Sequence, residues 1–368
     1  MSSIKICVST GSESKGELTT ISSGDFPQIN DDQILFKGVA YALNPTDWKH
    51  MLNHWGAPGS ISGSDAAGIV TQVGKNVKGF EVGDYVSTTL HGNYRPDRGA
   101  FAEYVIADPV ITIKYDKTKF LAEPLSAGQT DSSIINSFEG AAAITLSLAT
   151  VGLSFSNSLK IKPNKAENAS KYILIWGGAT STGIVGIQIA KLVYGLKVIT
   201  TASKKHHEFL KSLGADETFD YRESNVVDQI KKVANGKIYY ALDTVANNET
   251  FQQTYDATIG SPTEAFDNLL SLTKEDIKTE SDNHSRFASS LVYLVDGKPH
   301  SLGSVIYPTQ ELLDDYHQFW YELLPPYVPY LKNPNLRVLK PGFKSVNEGL
   351  ELLRDDKISG EKLVFRFE

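Results

Sequence analysis

The stretch Tyr172 to His207, YILIWGGATSTGIVGIQIAKLVYGLKVITTASKKHH, runs from an apolar segment through paired glycines and a Thr/Ser-rich turn to an amphipathic helical segment. A second apolar segment follows and ends in basic residues. Gly177 and Gly178 allow backbone to come close to a ligand, and Thr180, Ser181 and Thr182 offer hydroxyls for a helix cap or for phosphate oxygens. A helix start favours an anion, because its first N–H groups lack partners and its dipole is positive there. Gly183 and Gly186 predict close packing of the helix on its strand. The spacing departs from a strict G-x-G-x-x-G, and any doubly wound fold can carry such a turn. The strand, helix and second strand around it favour a dinucleotide site.

The end of the second strand separates two dinucleotides. NAD sites place an Asp or Glu there, roughly 20 residues past the glycines, to bind the ribose hydroxyls. This chain offers Ser203, Lys204, Lys205, His206 and His207 instead. A carboxylate repels the extra phosphate of NADP, whereas a serine and lysines neutralise it and hydrogen-bond to it. Tyr221, ending the next apolar stretch TFDY, is placed to cover the same phosphate. The expected cofactor is therefore NADP (as NADPH), and the competing reading is a solvated charge run.

Elements of two kinds must position these groups. QILFKGVAY, DAAGIVTQVG, GDYVSTTLHG and GAFAEYVIA are short strand patterns between Gly, Asp and Asn breaks, predicting an antiparallel or barrel-like β domain at the start. FEGAAAITLSLATVGLSF (138–155) reads as a long buried helix, and SNSLKIKPNKAENASK (156–171) as a polar surface loop. From Tyr172, YILIWGG, KVITTAS, ETFDY and KIYYALDTV alternate with helical stretches, which predicts βαβ units on a parallel sheet. The tail from Asn335 ends in KLVFRF, expected as a strand pairing back into the first domain. At 368 residues the chain has room for two cores. With 41% hydrophobic and 21% charged residues and a net charge of -7, it shows no nucleic-acid surface. A single cysteine, Cys7, excludes a disulfide framework and a multi-cysteine zinc site, and reads as a small buried hydrophobe. No apolar run approaching about 18 residues is recognised, and the N-terminus lacks a signal-peptide core, so a soluble cytoplasmic protein without a membrane span is expected.

NPTDWK (44–49), GSDAAG (63–68), VGD (82–84), GAFAEY (99–104), GGATSTG (177–183), LGAD (213–216) and FDY (219–221) together resemble the medium-chain dehydrogenase/reductase superfamily. Within it they resemble the zinc-independent quinone oxidoreductase and enoyl reductase branch, above all fungal trans-acting enoyl reductases and yeast aldehyde-reductase-like relatives. The resemblance spans nearly the whole chain. It implies an α/β protein with a GroES-like β-barrel-type catalytic domain (1–135 and 310–368) and a Rossmann doubly wound parallel-sheet domain (136–309).

The resemblance also implies roles. Zinc-dependent relatives take ligands from an early cysteine and a Gly-His-Glu segment; here those positions fall in NPTDW and in Gly63-Ser64-Asp65, so no metal is expected. Asp65 is expected to accept backbone N–H groups. Lys49 matches a lysine at the nicotinamide end of the cleft, suited to stabilise an enolate or steer the cofactor. Its alternative is a surface lysine. Thr150 matches a threonine beside the nicotinamide, or is an ordinary helix residue. Asn44, Pro45, Thr46 and Asp47 match the loop that meets the nicotinamide ribose, or form a turn. Ala179 to Thr182 match the pyrophosphate turn, Ser203 to His206 the 2′-phosphate pocket, Tyr221 its flank, and Ser359 and Gly360 a segment closing over the cofactor. Relatives carry a lysine where His206 stands. His50, His54, His91 and His300 show no metal spacing and read as surface or satisfied polar residues, the alternative being a catalytic acid among them, and Trp55 and Tyr94 line an apolar pocket or pack. The implied activity is NADPH-dependent hydride transfer to an activated C=C, a quinone or an aldehyde, with a small carbonyl or enone substrate and a monomer or homodimer. The alternatives are a zinc-free aldehyde or alcohol dehydrogenase and a nucleotide-binding sensor or scaffold.

Overall fold

Short β-branched stretches between turn residues become strands where a sheet can cover both their faces. In the computed structural model, which describes residues 3–279, 281, 285–302 and 304–368, they do so in two separate units. The first comprises residues 1–146, 299–306 and 328–368; the second comprises 147–298 and 307–327. These boundaries differ from 135/136 and 309/310. The helix Phe138–Ala142 packs on strands Ile34–Ala42 and Asp65–Val73 of the first unit, and Gln310–His317 packs on the helical turn Ser154–Ser158 of the second.

In the first unit, Ser3–Ser9 and Thr19–Asp25 form an antiparallel pair. An eight-stranded sheet runs Thr112–Tyr115, Tyr85–Thr89, Asp65–Val73, Ile34–Ala42, Glu361–Arg366, Asn335–Val338, Gly128–Thr130, with Tyr104–Ala107 also on Ile34–Ala42. The C-terminal strand pairs back as expected, Val364 opposite Ala42. The sheet is not wholly antiparallel: Asn335–Val338 and Glu361–Arg366 are parallel. Phe36, Tyr41, Phe101, Phe343 and Phe365 fill its core, and Cys7 is buried among them, its thiol pushed up to about 12 by burial.

The second unit holds a six-stranded parallel sheet. Numbered along the chain as Tyr172–Trp176, Lys197–Thr201, Glu217–Phe219, Ile238–Asp243, Ala265–Asn268 and Arg286–Ser289, its strands lie in the order 3-2-1-4-5-6. That is the doubly wound dinucleotide-binding order, whose crevice opens at the carboxyl ends of strands 1 and 4. Ile173, Leu174 and Ile175 are fully buried, as a strand covered on both faces requires. The helix after it, Ser181–Ile189, is not amphipathic: every residue from Gly183 to Ile189 is buried. Nor is 156–171 simply loop, since Asn164 caps a short helix, Lys165–Asn168, and Leu159 and Ile161 are buried.

The predicted helix 138–155 is built as Phe138–Ala142, Thr145–Leu153 and a π-turn Ser154–Ser158. By length and composition Phe138–Ser158 is apolar enough to cross a membrane, contrary to the expectation that no run approaches that length. An 18-residue window of it is 89% buried in the protein, which accounts for its composition.

Candidate functional site

In the second unit the glycine turn is fixed from both sides. Gly177, at φ +85°, donates its N–H to Thr201 Oγ1 (3.0 Å), and Gly178 donates to the Thr201 carbonyl (2.8 Å). Thr180 caps the helix, its hydroxyl accepting the Gly183 N–H at 2.9 Å. The same hydroxyl donates to Thr244 Oγ1 at 2.9 Å, and Thr244 donates to the Trp176 carbonyl at 2.7 Å. Thr180 is thus engaged as a cap, which leaves the half-buried Ala179, Ser181 and Thr182 at the mouth of the turn, where first-turn amides have no helical acceptor. Of the two packing glycines only Gly183 is obligatory. A Cβ there would overlap the Gly177 carbonyl, whereas at Gly186 it would meet only the Ile175 methyl end at 3.2 Å.

Strands 2 and 3 bring the second group together. Ser203 leads into the exposed turn Lys204–His206, and its hydroxyl lies 3.4 Å from that of Tyr221, which is 45% exposed at the end of the neighbouring strand. Burial, then Lys205 and His207, push the His206 ring below its ordinary pKa. Arg222 was not anticipated. Its guanidinium binds both oxygens of Asp220 (2.8 and 2.5 Å) and lies 5.9 Å from the Tyr221 ring, holding the Asp220 carboxyl well below the carboxylate range. The Asp220 carboxylate, within hydrogen-bond reach of the Lys204 backbone, is thereby neutralised. These groups fit a nicotinamide dinucleotide: a tight turn at a helix start, and hydroxyls and cations at the second strand's end. Thr150 is buried in the helix Thr145–Leu153, 8% exposed.

In the first unit Pro45 opens the helix Pro45–Leu52, where its fixed φ suits the first position. The Asp47 carboxylate accepts from the Asn44 N–H (2.8 Å) and the Ser64 hydroxyl (2.6 Å). Asn44 Nδ2 donates to Asp65 Oδ2 at 2.9 Å, and Leu146 N–H donates to Asp65 Oδ1 at 2.9 Å. Asp65 accepts a backbone N–H as expected, but it is also an ion-pair partner. Lys362 donates to Asn44 Oδ1 and places Nζ 3.7 Å from Asp65 Oδ2, with Asp65 0% and Lys362 4% exposed. Burial pushes Asp47 up to about 7, raises Asp65 and lowers Lys362, and Lys362 and Asp65 each oppose the other's shift. Lys362 was missed by the sequence reading. Its signal was a lysine within LVF-rich strand residues buried on both faces, where an ammonium needs a partner.

The Pro45–Leu52 helix carries two more features. Half-buried Lys49 sets its ammonium 5.8 Å from the Trp48 ring. Thr46 Oγ1 lies 2.8 Å from His50 Nε2, and His50 Nδ1 lies 2.8 Å from His91 Nε2. His50 and His300 are therefore not surface residues: each is 3% exposed, and with His91, Tyr94 and Trp55 they form one aromatic cluster. His54 is exposed and pairs with Glu13 at 3.1 Å. Ser359 is exposed, and Gly360, at φ +70°, leads into the C-terminal strand; the Lys362 network holds Asn44 and Asp47. Among the described residues, no group of three or more His, Cys, Asp or Glu is arranged to hold a metal ion.

Comparison with known proteins agrees with both units. Residues 30–117 match the alcohol dehydrogenase GroES-like domain, and residues 181–259 match the family described as zinc-binding dehydrogenase. An uncharacterized protein of Saccharomyces cerevisiae, YNL134C, is 35% identical over 352 residues, covering 92% of each chain. The trans-enoyl reductase resD of Aspergillus sclerotiorum is 30% identical, covering 96% of this chain and 98% of its own. The quinone oxidoreductase structure from Coxiella burnetii shares the fold with a TM-score of 0.67 at 23% identity, over 100% of both chains. The chain belongs to the medium-chain dehydrogenase/reductase family, in its enoyl and quinone reductase branch, and is an oxidoreductase of the kind that uses a nicotinamide dinucleotide.

Proposed function

We propose that the protein is an NADPH-dependent, zinc-independent reductase that transfers hydride to an activated C=C bond, as in an enal or enone, or to a quinone or aldehyde. The observation that carries the NADPH preference is the meeting of Ser203 and Tyr221 at 3.4 Å beside Lys204 and Lys205, with the neighbouring carboxylate of Asp220 paired to Arg222. The dinucleotide supplies the hydride when bound. Ala179, Ser181 and Thr182, with Gly178 and Gly183 clearing the approach, bind its pyrophosphate. Ser203, Lys204, Lys205, His206 and Tyr221 bind the 2′-phosphate. Asn44 to Asp47, Thr150, Ser359 and Gly360 orient the nicotinamide end, and Lys49 stabilises negative charge developing on the substrate oxygen.

Zinc does not fit the residues present. Asn44 and Ser64 offer neither thiolate nor imidazole, and the Lys362 ammonium is already bound between Asn44 and Asp65. The trans-enoyl reductases among the relatives favour C=C reduction over the alternatives. The test is a panel of enals, quinones, furan aldehydes and enoyl thioesters with NADPH oxidation as readout, and with Lys49→Ala beside the wild type. Turnover on at least one class, reduced in Lys49→Ala with NADPH affinity retained, is expected. Equal turnover in the variant removes Lys49 from the chemistry, and no NADPH oxidation on any class overturns the reading.

A further inference from the structure

A strained residue stands at the mouth of the parallel sheet in the second unit. Ala246, just past strand 4, has φ +57°, in the left-handed region that glycine enters freely and an alanine does not. It is buried, so its surroundings must hold it there. A carboxylate does so. Asp243, the last residue of strand 4, is fully buried, and its Oδ1 accepts the N–H groups of Val245 at 3.0 Å and Ala246 at 2.9 Å. Its Oδ2 accepts the Thr250 hydroxyl at 2.7 Å. Thr250 lies in the first turn of the helix Asn248–Thr258, where its hydroxyl also accepts the Asn247 N–H at 3.1 Å. Strand end, turn and helix start are thus tied to one side chain. Burial raises the Asp243 pKa, and the bonds from Ala246, Thr250 and Val245 oppose that rise.

The turn so held, 244–246, faces the glycine turn. Thr244 donates its N–H to the Trp176 carbonyl at 3.1 Å. Val245 is 42% exposed, and its Cγ2 would lie 2.7 Å from a Cβ built on Gly177. An apolar side chain therefore stands open beside the glycine turn, at the carboxyl ends of strands 1 and 4, where a doubly wound sheet takes its dinucleotide. Without an acceptor for its two N–H groups, a turn that keeps an alanine left-handed would open. A site already in shape binds without the cost of ordering.

We propose that Asp243 is a positioning residue for the nicotinamide dinucleotide, holding the turn 244–246 in its binding shape before the cofactor arrives. The proposal rests on the dinucleotide reading of the glycine turn. It does not depend on a 2′-phosphate, so NADPH and NADH are affected alike.

Two measurements on the full chain test this. Hydrogen exchange of the cofactor-free protein is expected to show slow amides at Val245 and Ala246, despite the exposure of Val245. Their protection is expected to fall by about tenfold or more in Asp243→Ala, and to persist in Asp243→Asn, whose carboxamide oxygen still accepts both N–H groups. Fast exchange in the wild type, or equal protection in Asp243→Ala, overturns the proposal. The second measurement is equilibrium titration with NADPH and NADH, at a temperature where near-UV circular dichroism shows each variant folded. Asp243→Ala is expected to bind each dinucleotide about tenfold more weakly, and Asp243→Asn to stay within about threefold of wild type. Asp243→Ala/Ala246→Gly is expected to recover to within about threefold, because glycine enters the left-handed region without help. Unchanged affinity in Asp243→Ala, with only its unfolding midpoint lowered, makes the carboxylate structural and overturns the proposal, as does a double variant no tighter than Asp243→Ala. Should Asp243→Ala not fold, Thr250→Val, which removes one of the three donors, is expected to weaken both dinucleotides by about threefold, and unchanged affinity there overturns the proposal. A wild type that binds neither dinucleotide overturns the dinucleotide reading as well, and the exchange result still decides whether Asp243 holds the turn.

Discussion

Thr180 and Thr244 are joined hydroxyl to hydroxyl at 2.9 Å, and Thr244 passes the bond on to the Trp176 carbonyl at 2.7 Å. The helix cap of the glycine turn is thereby tied to the ends of both central strands, where the crevice of a doubly wound sheet opens. Thr244→Val preserves shape and removes the link. It is expected to cost about 1–2 kcal/mol in denaturant unfolding and to weaken NADPH and NADH binding by the same factor. An unchanged stability rejects the link.

The two packing glycines are expected to part. Gly183→Ala drives a Cβ into the Gly177 carbonyl, backbone that cannot move aside, and should destabilise by about 1–3 kcal/mol. Gly186→Ala meets only the flexible end of Ile175 at 3.2 Å. There, a gain in helix propensity of up to about 1 kcal/mol offsets the crowding, leaving stability near wild type. Thermal unfolding of the pair checks this; equal losses would contradict it.

Lys362→Met leaves Asp65, fully buried, without its ammonium partner. Removing one member of a buried pair costs about 3–5 kcal/mol. The double variant Lys362→Met/Asp65→Asn is expected to recover much of that loss. Urea unfolding of wild type, single and double variants measures the coupling, and additive losses would show that the pair does not act as a unit.

Acid stability follows from His50. Its folded pKa, about 4, lies below the ordinary 6.5, so between these values the unfolded chain binds a proton that the native one does not. Stability from this group is full above pH 6.5 and falls as pH drops toward 4, by about 3 kcal/mol at full extent. Asp47 acts in the opposite sense. Its folded value, about 7 against 3.8, makes stability fall as pH rises between them. His50→Phe is expected to flatten the decline from pH 6.5 to 4.5, measured by unfolding at a series of pH values. An unchanged slope contradicts burial of a neutral His50.

Much of this was legible in the sequence where periodicity is strong. The runs YILIW, KVITT and IYYALD announce a parallel sheet, and KLVFRF announces a returning strand, because strands buried on both faces carry continuous apolar residues. The close approach of Ser203 to Tyr221 followed from strand ends that parallel pairing brings side by side. What escaped were contacts made across long separations. Lys362 meets Asn44 and Asp65 only after the chain returns. His91 meets His50 across 41 residues with no fixed spacing. Arg222 was passed over because its partner, Asp220, lies only two residues away and makes it look like a local surface pair. The helix Ser181–Ile189 was misread as amphipathic because a segment covered all round gives no one-sided pattern.

The central claim is that Ser203, Lys204, Lys205 and Tyr221 grip a 2′-phosphate. Paired equilibrium titrations of the wild-type protein with NADPH and with NADH test it most directly. NADPH is expected to bind at least about tenfold tighter, a difference of about 1.4 kcal/mol, and the margin is expected to vanish in Lys204→Glu/Lys205→Glu. NADH binding as tightly as NADPH to the wild type would contradict the account.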